Sequence, residues 1–95
     1  MHTEIDQQVV ARFFEAIDAL KEREDIKGYQ AFCNRYGIDK RNFYKQKKQP
    51  QIQIMHFDWI VPLVTEYGIS SLWLITGLGK MFLPMFENPQ KGVPY

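Results

Sequence analysis

Cysteine and histidine are nearly absent from this chain: one cysteine and two histidines in 95 residues. Cys33 has no partner for an internal disulfide, and a lone thiol with His2 and His56, which stand at no ligand spacing, does not make a structural zinc site. Long apolar runs are missing too. No stretch approaches the roughly 18 to 20 apolar residues of a membrane span, and the start MHTEIDQQVV has neither a basic leader nor a cleavable apolar segment. A cytoplasmic protein without membrane contact is expected. Scattered carboxylates, one thiol and two imidazoles offer no nucleophile, base and orienting group at useful spacing, so no enzymatic activity is expected. The tetrapeptide GLGK at 77–80 lacks the glycine-to-lysine spacing and the following hydroxyl of a phosphate loop, and it follows a helical pattern where that loop needs a strand. No cofactor and no small-molecule ligand are called for.

What is present is a core. Apolar residues make up 45% of the chain and aromatics 15%, enough for one small domain that stands on packing alone. Neither an alternating strand pattern nor an internal repeat is visible, so the fold class is all-α. Ile5, Val9, Val10, Phe13, Phe14, Ile17 and Leu20 recur at three-and-four spacing and predict a helix from about residue 4 to 23, with Thr3 as N-cap and Asp6 in its first turn. A short second helix is predicted between Gly28 and Gly37, with Phe32, Cys33 and Tyr36 inward. Asp39 stands where an N-cap belongs, so a third helix runs from Lys40 to about Lys47 and ends before Gln49-Pro50. Phe57 to Tyr67 gives a fourth helix, which Pro62 must either kink or make start late, near Asp58. A fifth is capped by Ser70 or Ser71 and closed by Gly77. The expected architecture is a compact five-helix bundle over residues 1–82 with an irregular C-terminal tail over 83–95.

The formal net charge of +1 conceals a local field. Residues 1–27 hold seven acids against four bases, whereas residues 28–50 hold Arg35, Lys40, Arg41, Lys45, Lys47 and Lys48 against Asp39 alone. Two short helices joined across Tyr36-Gly37-Ile38 have the plan of a helix-turn-helix. That packing needs a small residue four positions before the glycine, which is Cys33, apolar residues around it, and one pointing back from the next helix, which is Phe43. If Phe43 faces inward, the 3.6-residue period turns Arg41, Tyr44, Lys45 and Lys48 outward and leaves Lys40 and Asn42 at an exposed first turn.

At these residues the sequence resembles the lambda-repressor-like family of helix-turn-helix domains, the Cro and phage repressor type. In YQAFCNRYGIDKRNFYKQ, Gly37 matches the family's turn glycine, Cys33 its usual alanine and Phe43 its usual isoleucine or valine. A second likeness is YGISSLWLITGLGKMF, similar to the end of the family's five-helix domain, where a Gly-Val-Ser turn leads into a helix with Trp-Leu and then Thr-Gly. Together they cover roughly residues 10 to 82. Gln46 stands where the family usually has a second apolar residue, and Tyr29 where a phosphate-contacting glutamine is common, with Gln30 one position later.

The resemblance implies sequence-selective binding of double-stranded DNA, with the third helix in the major groove. By residue type, Lys40 and Arg41 suit guanine O6 and N7, and Asn42 suits adenine. Lys45, Lys47 and Lys48 suit phosphates, and Gln30 takes over the phosphate role at the second helix. Tyr44 either packs on a thymine methyl, bonds a phosphate or serves packing. A single recognition helix reads few base pairs, so a homodimer on two half-sites is expected, acting as a small transcriptional regulator or phage-type repressor. Met81, Phe82, Leu83, Met85 and Phe86, beyond the helices, are candidates for self-association. The alternative is a protein-interaction module that keeps this scaffold and offers its basic face to an acidic protein partner.

Overall fold

The computed structural model describes residues 4–49 and 56–87, with side chains from Gln7 onward. Five α-helices follow one another: α1 (Glu4–Glu22), α2 (Tyr29–Tyr36), α3 (Lys40–Lys48), α4 (Phe57–Thr65) and α5 (Ser71–Thr76). Among the described residues the only strand-like feature is one isolated antiparallel bridge between Ile69 and Phe82. The fold is an all-α bundle.

The apolar stripe of α1 builds the core, because its three-and-four spacing puts Val10, Phe13, Phe14, Ile17 and Leu20 on one face and all five are buried. Phe13 is fully enclosed, with ring centroids 5.0 Å from Phe14, 6.3 Å from Phe32, 6.0 Å from Phe43 and 6.3 Å from Trp59. These edge and tilted arrangements bring α1, α2, α3 and α4 together on one aromatic cluster, each pair adding about 0.5–1.5 kcal/mol beyond simple burial. Arg12 ties α1 to α5. Its guanidinium donates to the Leu74 carbonyl at 2.7 Å and the Ile75 carbonyl at 2.8 Å, placing a positive charge on carbonyls that end a helix.

Local chemistry sets the helix ends. Gly37 closes α2 in the left-handed region at φ 65°, and its N–H and that of Ile38 donate to the Cys33 carbonyl. Helix α4 begins at Phe57, one residue before Asp58, and keeps Pro62 inside it, so the missing proline N–H is confined to the carbonyl of Asp58 in the first turn. Of the two serines, Ser70 is the cap of α5, its hydroxyl accepting from the Trp73 N–H at 3.2 Å. The expected Thr3 cap lies outside the described residues.

Packing does not stop at residue 82. The Ser70 N–H donates to the Met81 carbonyl at 2.8 Å and the Leu83 N–H to the Gly68 carbonyl at 2.9 Å, and a 3-10 turn over Pro84–Phe86 follows. The Phe86 side chain packs against Gly68, where an added Cβ would meet its Cγ at 2.0 Å. Arg23, just past the end of α1, stacks on the Phe82 ring at 3.9 Å, donates to the Phe86 carbonyl at 2.8 Å and pairs with Asp25 at 3.3 Å. The five apolar residues named as candidates for self-association are thus divided. Met81 and Phe82 pack against the core and Phe86 is half-buried, which leaves Leu83 and Met85 as the exposed members of that set.

Candidate nucleic-acid interface

Helix α3 is seated by two inward residues and displays the rest. Asp39 starts it: the carboxylate accepts from the backbone N–H of Arg41 at 2.8 Å and of Asn42 at 3.3 Å. Phe43 and Gln46, three positions apart, are the two buried residues of the helix, both fully enclosed. Phe43 sits within 5.1 Å of Phe14 and 5.3 Å of Trp59, ring centroid to ring centroid. At 100° per residue, an inner face centred between 43 and 46 points Arg41 and Lys48 directly outward, Tyr44 and Lys45 about 50° to either side, and Asn42 and Lys47 to opposite flanks. Lys40, Arg41, Asn42, Tyr44, Lys45, Lys47 and Lys48 are all exposed.

The flanks have different neighbours. Asn42 lines a concavity with Tyr36, Asp39, His56, Asp58 and Trp59, on the side of the α4 N-terminus. Lys47 lies on the α2 side, its ammonium 5.5 Å from the centroid of the Tyr29 ring. The Tyr44 ring also meets Tyr29, at 5.9 Å. Gln30 is exposed at the start of α2 and lines an open groove that Tyr44 reaches from α3. The expected residues of α3 are thus spread over its exposed side, and Gln30 shares a groove with Tyr44.

Of the polar and aromatic side chains of that groove, sequence reasoning missed four: Lys21, Lys27, Tyr29 and Asn34. Both lysines belong to the acidic block of the chain, so no charge count singles them out; the corner between α1 and α2 carries them to the basic face. In the other direction, Arg35 leaves it. Its guanidinium turns to α4, meeting Glu66 at 3.3 Å and donating to the Tyr36 hydroxyl at 3.1 Å, and these hydrogen bonds, the one to Tyr36 first, raise its pKa.

Burial, reinforced by a hydrogen bond to Asp18, pushes the Tyr29 hydroxyl up, and burial with a hydrogen bond to Tyr67 does the same to Tyr36. Burial also raises the Cys33 thiol, which disfavours the thiolate and suits a small core residue at the α2–α3 crossing. Among the described residues no group of three or more His, Cys, Asp or Glu is arranged to hold a metal ion, and no helix is long and apolar enough to cross a membrane. What this surface offers chemically is an array of ammonium, guanidinium and amide donors on a rigid helix with no carboxylate side chain on it. The chain matches no protein-family model, no curated protein and no solved structure.

Proposed function

We propose that this chain binds double-stranded DNA sequence-selectively through α3, as a homodimeric transcriptional regulator of the phage repressor type. One observation carries the reading: of the nine residues of α3, Phe43 and Gln46 face the core, and the other seven are five cations, an amide and a phenol, all exposed. Donors on a helix of this width suit the major groove, where base edges present acceptors and an α-helix fits. Lysines at the helix margins and at the α1–α2 corner suit the phosphates on either side. The α2–α3 pair then acts as a helix-turn-helix, with Gly37 at the turn and Gln30 toward the backbone. Two copies are required because one short helix contacts only a few base pairs.

Selection of bound sequences from a random duplex pool, followed by sedimentation of the complex, tests this directly. The expected result is an enriched motif with two inverted half-sites about 10 base pairs apart, centre to centre, and two chains per duplex. No enrichment, together with binding to polyanionic protein at the same face, would replace the DNA reading by that of an adaptor for an acidic partner.

A further inference from the structure

Two of the exposed side chains of α3 touch a residue that lies outside the basic helix. Tyr29 opens α2, and the core grips its inner side: its ring centroid is 6.2 Å from that of Phe14 and 5.8 Å from that of Phe43. Its hydroxyl donates to Oδ1 of Asp18 on α1, so the ring is pinned at both ends. On the outer side lie the Tyr44 ring at 5.9 Å and the Lys47 ammonium, 5.5 Å from the Tyr29 centroid.

We infer that Tyr29 is a positioning residue of the interface, holding the Lys47 ammonium and the Tyr44 ring ready for a DNA strand that runs along the α2–α3 groove; the inference rests on the DNA reading. A lysine free in solution loses rotamer freedom when it binds a phosphate, and a contact that already restricts it lowers that loss. The face of an aromatic ring attracts a cation through its quadrupole, and an ammonium has three N–H donors, so those turned away from the ring stay available to phosphate. The bond from the Tyr29 hydroxyl to a carboxylate adds electron density to the ring and strengthens that attraction.

The test compares parent, Tyr29→Phe, Tyr29→Leu, Lys47→Ala and the Tyr29→Leu/Lys47→Ala pair, each checked by circular dichroism and melting, on the selected duplex. Tyr29→Leu is expected to weaken binding about two- to five-fold, the scale of a cation–π contact at an exposed site, while Tyr29→Phe keeps most of the affinity. In the Lys47→Ala background Tyr29→Leu should cost less than it does alone. The free protein supplies an independent readout. The ε-methylene protons of Lys47 should resonate upfield in parent and Tyr29→Phe, through the ring current, and return to the ordinary lysine position in Tyr29→Leu. The role is overturned if Tyr29→Phe binds as weakly as Tyr29→Leu, or if the loss is the same with and without Lys47. Should Tyr29→Leu fail to fold, an unshifted Lys47 in the parent overturns it. A parent that binds no duplex removes the DNA reading itself, a different result from a parent that binds while Tyr29→Leu binds equally well.

Discussion

Phe43 is the residue on which the orientation of α3 depends. Its ring is fully enclosed and touches α1, α2 and α4 through Phe13, Phe14, Phe32 and Trp59. Phe43→Ala is expected to lose about 3–5 kcal/mol in urea unfolding, since four elements surround the cavity and little can collapse into it. Two glycines give a contrast at the same scale. Gly37 has φ 65° and nothing within 4 Å of an added Cβ, so Gly37→Ala should cost only the left-handed backbone penalty, roughly 1–2 kcal/mol. Gly68 has φ 71° and an added Cβ would lie 2.0 Å from Cγ of Phe86, so Gly68→Ala should lose more and should release Phe86, read as increased proteolysis near residue 86. Tyr29 adds a pH dependence. Its hydroxyl titrates higher in the folded chain than the roughly pH 10 of an unfolded tyrosine, mainly through burial. The folded state therefore binds more protons above pH 10, and stability from this group, complete below that pH, is lost as pH rises further. Tyr29→Phe should flatten part of that alkaline fall in melting temperature.

On the scale of single elements, α3 assigns different work to its two most outward side chains. Arg41 lies in the first turn and Lys48 in the last, both pointing away from the Phe43–Gln46 side. A guanidinium is a fixed fork that matches one guanine edge, whereas an ammonium is a mobile point charge. Arg41→Ala is expected to lose about 1–3 kcal/mol on the selected duplex and to relax the choice at one base position. Lys48→Ala should weaken selected and scrambled duplexes alike and lower the salt slope by about one. Binding of both variants to both duplexes checks this, and equal losses on each would make Arg41 another phosphate contact. The helix itself was legible in the sequence because its signals are local: Asp39 as cap, Phe43 as anchor and Gln49-Pro50 as end are read within one or two turns. Gln46 shows the limit, since a residue type usually exposed is here fully buried by what packs on it.

For the whole molecule the measurable quantity is the field. Cations of α3 are joined by Lys21 and Lys27 at the α1–α2 corner, while Arg35 is drawn off to Glu66. If four to six of these charges meet phosphates, log affinity should fall against log salt with a slope of roughly −4 to −5 per protomer, measured by titrating a labelled duplex at several salt concentrations. A slope near zero would end the DNA proposal. Among the described residues, five helices, their order, the Asp39 cap and the charge asymmetry follow from the sequence alone, because spacing, capping residues and charge counts act over a few residues. Tertiary structure decided which charges share a face, that Tyr29 lies under Lys47 and Tyr44, and that residues 81–86 pack back on Gly68 and Arg23. Those pairings join residues up to 63 positions apart, as between Arg23 and Phe86, and they arise only when burial of the aromatic cluster fixes how the helices cross.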